Sequence, residues 1–127
     1  MVTEDGSQDV ILSQFPANGL PLGQNVPKNF TDTLISEGRP ADSVWRIYVP
    51  NDSAFDQAAA HERGLHLWSW SPSKSSTQCS IAASRSLRAG GVSLTSVVDG
   101  TLMPGFFNNN IQKNQYNPGN NIQKLPP

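Results

Sequence analysis

Residues 77–98 read TQCSIAASRSLRAGGVSLTSVV, and whether they form strands or a helix decides the fold class. Taken at period two, Thr77, Cys79, Ile81 and Ala83 share one face and small polar residues take the other. After Ala89-Gly90-Gly91, a turn signal, Val92, Leu94, Ser96 and Val98 again fall together. Asp99-Gly100 is a tight-turn dipeptide, and residues 101–103 form the expected return strand. On this reading the stretch is two strands and a turn, with Cys79 as a small buried hydrophobe.

Working outward toward the N-terminus, residues 43–49, SVWRIYV, alternate Val44, Arg46 and Tyr48 against Trp45, Ile47 and Val49. β-Branched and aromatic residues at this spacing make it the clearest strand in the chain. Residues 65–70, LHLWSW, alternate in the same way and read as another strand. Between them lies a helix signature. Ser53 is a good N-cap residue, 54–63 (AFDQAAAHER) carries three alanines, Arg63 stands in the last turn and Gly64 follows. Its buried face comprises Phe55, Ala58, Ala59 and the aliphatic stem of Glu62. The expected fold is therefore mainly β: a small antiparallel β-sandwich or partial barrel with one short helix at about 54–63.

Both ends read as arms. Residues 1–28 hold one apolar island, VILSQF (10–15), followed by a Pro/Gly-rich stretch that forbids a regular helix. Residues 29–103 are the expected β-rich body. Residues 104–127 contain seven Asn, three Gln and four Pro, a composition that alone in water does not build a core. Removal of 105–127 is accordingly expected to leave the body folded.

The C-terminal tract has one further oddity. The pentapeptide NNIQK occurs at 109–113 and again at 120–124, eleven residues apart. A hairpin pairing the two copies about Asn117-Pro118-Gly119-Asn120 would set Lys113 against Lys124, and a type II turn splays the strands of a hairpin. The alternative is two docking motifs for a partner, separated by at most about 36–40 Å of extended chain. In that reading Asn110, Ile111, Gln112 and Lys113 form one motif and Asn121, Ile122, Gln123 and Lys124 the other. Ile111 and Ile122 are the anchors, with Phe106 and Phe107 ahead of them as further contact residues. Two linked weak motifs gain affinity through effective concentration.

The bulk numbers bound the function. The chain has 127 residues, enough for one domain with a modest core. Only 15% of residues are charged, against about 25% in typical proteins. Residues 1–62 carry a net −6 and residues 63–127 a net +5, so copies could pair head to tail, or the two halves meet within one fold. No dense basic patch supports nucleic-acid binding. No apolar run is long enough for a membrane span, and the acidic start MVTEDGSQDV is unlike a signal peptide. The single cysteine provides no internal disulfide.

No chemistry-bearing motif emerges. His61-Glu62 and His66 are spaced one residue too far for the two-histidine zinc motif of a helix face, and Gly64 lies between them. No catalytic, cofactor or metal site is expected. Trp68 and Trp70 share a strand face and could stack on a ligand ring, which makes a carbohydrate- or ligand-binding module the alternative reading. The leading expectation is a non-catalytic structural subunit joined to neighbours, copies of itself among the candidates, through its arms. A minor capsid, cement or tail protein of a virus or phage, assembled in a host cytoplasm, is the setting that low charge and tethering arms suggest by architectural analogy.

Overall fold

The structure, a computed structural model, describes residues 14–16, 23–25, 43–65, 67–68, 76–77, 79–94 and 104–126. In chain order the elements are β1 (Gln14–Pro16), β2 (Gly23–Asn25), β3 (Val44–Ile47), α1 (Asp52–Arg63), β4 (Leu67–Trp68), β5 (Ser76–Thr77), α2 (Cys79–Ala89), α3 (Pro104–Asn114) and β6 (Ile122–Leu125). The three helices provide most of the regular structure among the described residues, and every sheet there has only two strands. The expected mainly-β sandwich or partial barrel is therefore overturned.

The reversal happens at α2. Read at period two, its serines belong outside. Read at helical period, Ser80, Ser84 and Leu87 lie on one face with Ile81, and Ala82 and Ser86 lie on the opposite side; all six are buried, so α2 is enclosed nearly all round. Small side chains on both sides suit a helix enclosed by neighbouring elements, and α2 packs along α1. The buried hydroxyl of Ser86 is satisfied within the helix, donating to the Ala82 carbonyl at 2.9 Å. Local propensity agrees, since Ala, Leu and Arg outnumber the one β-branched residue, Ile81.

The glycines read as a strand-to-strand turn are instead a helix stop. Gly91, at φ +92°, sends its amide to the Arg88 carbonyl, and the Val92 amide reaches the Leu87 carbonyl at 3.0 Å. This is the Schellman arrangement, and its usual apolar contact is present because Leu87 and Val92 are both buried. Val92 to Leu94 continue without regular structure, turning Val92 and Leu94 into the core; the remainder of the expected strand and the Asp99-Gly100 turn lie outside the described residues. The cysteine expected inside is exposed, at the start of α2.

Helix α1 matches expectation in position, and of its expected face Phe55, Ala59 and Glu62 are buried while Ala58 is half-buried. Its N-cap is Asn51 rather than Ser53: the Asn51 side chain accepts from the Ala54 amide at 3.1 Å. Glu62 faces Arg85 of α2 across 3.4 Å, an ion pair that ties the two helices together. The strand expected at 43–49 is present as β3. Of the strand expected at 65–70, β4 is described, paired in parallel with β5, while His66 and Trp70 lie outside the described residues. Within the expected N-terminal arm, β1 and β2 pair antiparallel from Gln14↔Asn25 to Pro16↔Gly23.

The second large departure is the C-terminal tract, which is helix and strand rather than arm. β6 pairs antiparallel with β3 in the register Val44↔Leu125, Trp45↔Lys124, Arg46↔Gln123, Ile47↔Ile122. Ile111 of α3 and Ile122 of β6 join Phe55, Ala59, Ala82, Leu87, Val92 and Leu94 in one core, with Trp45, Ile47, Val49 and Phe107 packed against it. The ten amides concealed two apolar anchors, which tertiary contact rather than composition recruits.

Ile111→Ala and Ile122→Ala should each lower unfolding free energy by about 2–5 kcal/mol in urea titrations. Gln123→Ala, at an exposed position of the same strand, should stay within about 0.5 kcal/mol. Removal of 104–127 should abolish cooperative unfolding altogether, the reverse of what an arm would give.

Candidate interaction surface

The β3–β6 ribbon has two faces, set by the alternation of strand side chains. Trp45, Ile47 and Val49 with Ile122 and Lys124 take the side toward the core. Val44, Arg46 and Tyr48 with Asn121, Gln123 and Leu125 take the outer side, where Arg46, Tyr48, Asn121 and Gln123 are exposed. The ribbon continues past Ile47, since the Tyr48 amide donates to the Asn121 carbonyl at 2.9 Å.

Asparagines fasten this unit to its surroundings. The Asn108 side-chain oxygen accepts from Ser43 Oγ at 2.7 Å and from Trp45 Nε1 at 2.9 Å, binding α3 to the start of β3. Lys124 Nζ sits 5.6 Å from the centre of the Trp45 ring, within cation–π range. At the far end of α3, Asn114 is buried and its amide donates to the Asn110 carbonyl at 2.7 Å. Asn117 donates to Asn114 Oδ1, and Asn120 Nδ2 to the Asn114 carbonyl at 2.9 Å. The Asn120 amide also imitates a strand neighbour for Ser93, accepting from its amide at 3.0 Å and donating to its carbonyl at 2.8 Å. These bonds close the turn between α3 and β6.

The residues expected to bind a partner separate into two groups. Ile111 and Ile122, the expected anchors, are buried in the protein's own core, and Phe107 and Asn110 are half-buried. Phe106, Gln112, Lys113, Asn121, Gln123 and Lys124 face outward. The two copies of the pentapeptide do not present equivalent surfaces, because 109–113 is helical and 122–124 is strand. The backbone of Trp68 lies in β4, and Trp70 is outside the described residues. His61 is exposed in the last turn of α1, where a histidine side chain faces the negative end of the helix dipole.

Among the described residues, the large apolar side chains most open to solvent are Tyr48 at 62%, Phe106 at 63% and Tyr116 at 84% exposure. Phe106 is the one of the three singled out from sequence; Tyr48 was assigned to a strand face, and nothing local marks Tyr116 as exposed. All three belong to the ribbon, α3 or the turn joining them. Among the described residues, no group of three or more His, Cys, Asp or Glu side chains is placed to hold a metal ion, and no helix is long and apolar enough to cross a membrane. No protein-family model, curated protein or solved structure matches this chain.

Asn108→Ala strips the acceptor from two donors at once. It should cost about 1–3 kcal/mol in thermal or urea unfolding, whereas Lys124→Gln, at an exposed cation–π contact, should cost about 0.5–1 kcal/mol.

Proposed function

We propose that this protein is a non-catalytic structural subunit that joins neighbouring subunits of a large assembly, copies of itself among them. A virus or phage particle is the setting proposed for it, on the architectural grounds of low charge and a polar, amide-rich surface. The observation that carries the reading is the exposure of Tyr48, Phe106 and Tyr116 on one structural unit. Aromatic side chains are enriched at protein interfaces and supply large contact area at small entropic cost. Their placement shifts the proposed contact from the repeated isoleucines to the outer side of the ribbon and α3.

Charge complementarity favours a second copy as one neighbour. Asp52 and Asp56 are exposed on α1, while Lys113 and Lys124 are exposed on the α3–β6 unit. Opposite charges on different elements of one chain allow head-to-tail contact and steer encounter.

Sedimentation velocity over a wide concentration range tests this. The wild-type chain should associate as concentration rises. The triple variant Tyr48→Ser, Phe106→Ser, Tyr116→Ser should keep the wild-type circular dichroism spectrum and associate at least tenfold more weakly. A wild-type monomer at every concentration would count against self-assembly.

A further inference from the structure

We infer that the contact between copies is made by strand exchange, in which β6 of one molecule occupies the place beside β3 of another. This rests on the assembly reading and names the mode of contact. β6 is the last of the described elements, and the segment 115–121 connects it to α3. Delivered to a second molecule, the same strand meets the same β3 in the same register, so the exchange reuses an existing pairing and leaves the exposed Tyr48, Phe106 and Tyr116 to add contact between the two joined molecules. Each exchanged β6 would place Ile122 opposite Ile47 and Lys124 over Trp45, as in the closed chain.

The repeated pentapeptide supplies an independent argument. Identical residues NNIQK are helical at 109–113, and their second copy enters a strand at Ile122. Local sequence therefore does not dictate strand conformation at 122–124. It is imposed by pairing with β3, and any β3 offering that register can impose it.

The connecting segment sets the balance between the closed and exchanged forms. Closure depends on Asn117 and Asn120 binding back to Asn114 at the end of α3. It also requires Gly119 to hold φ +86°, a left-handed conformation. A Cβ at Gly119 would meet nothing within 4 Å. Substitution there acts through backbone strain alone, without a clash. Pro118 and Gly119 are exposed, so the turn itself covers no core, and the Ile122 withdrawn with β6 is replaced by that of the other molecule in the exchanged form. When it runs extended into a neighbour, the left-handed residue and the asparagine contacts to α3 are both released.

Val44 and Leu125 stand directly opposite in the β3–β6 register, a pairing whose usual Cα separation of about 4.5–5.5 Å suits a disulfide. The test uses the full chain carrying Val44→Cys, Leu125→Cys and Cys79→Ser, oxidised with glutathione disulfide. Oxidised while dilute, the thiols should bond within one chain and weaken association at least tenfold. Oxidised after association at high concentration, they should join two chains, as shown by disulfide mapping on a mixture of isotopically light and heavy protein.

Gly119→Ala should strengthen association of the otherwise wild-type chain by about tenfold per hinge, because the closed turn alone bears the left-handed strain. Association with the thiols bonded only within chains, or undiminished in the dilute-locked protein, would overturn strand exchange and leave the subunit reading intact. Unchanged or weaker association of Gly119→Ala would likewise overturn it. Failure of the wild-type chain to associate at all would overturn self-assembly and strand exchange together.

Discussion

The pairing of β3 with β6 is the constraint on which the rest of this fold depends. It brings the end of the chain back to a strand far from it in sequence, and in doing so puts Ile122 into a core built by α1 and α2. α3 is held in turn by Asn108 bonds to Ser43 and Trp45 at the start of the same β3. A two-stranded ribbon is marginal by itself in water. Here its inner side rests on the core, and that burial, rather than the ladder, holds the two strands in register.

Asparagine does in this protein what charged and apolar residues do elsewhere. Asn51 caps α1, Asn108 joins α3 to the ribbon, and Asn114, Asn117 and Asn120 close the turn. An amide both donates and accepts, so one side chain can satisfy two backbone groups, as Asn120 does for Ser93. A surface poor in charge follows from this economy, and such a surface leaves exposed aromatics as the strongest points for contact with a neighbour.

Much of the local structure was legible in the sequence. The alternation at 43–49 located β3, and the alanines, the terminal Arg63 and Gly64 located α1 together with its buried face. The misreading at α2 came from treating serine as necessarily outward, when a helix can satisfy its hydroxyl internally and use its small volume for close packing. Composition misled in the same way at the C-terminus. Two isoleucines among ten amides look too few for a core, but a core contributed by other elements needs only two more side chains. The candidate surface was legible only at Phe106, because the exposure of Tyr48 and Tyr116 depends on how the ribbon and turn are packed. Twin isoleucines read as partner anchors proved to be internal ones, since a docking segment and a late-arriving core element share the same pattern.

Native-state hydrogen exchange followed residue by residue tests the central claim that 104–126 belongs to the cooperative core. The amides of Ile111 and of the β3–β6 ladder should exchange as slowly as those in the middle of α1 and α2, through global unfolding. Exchange at the rate of an unstructured peptide across 104–126, with α1 and α2 still protected, would contradict it.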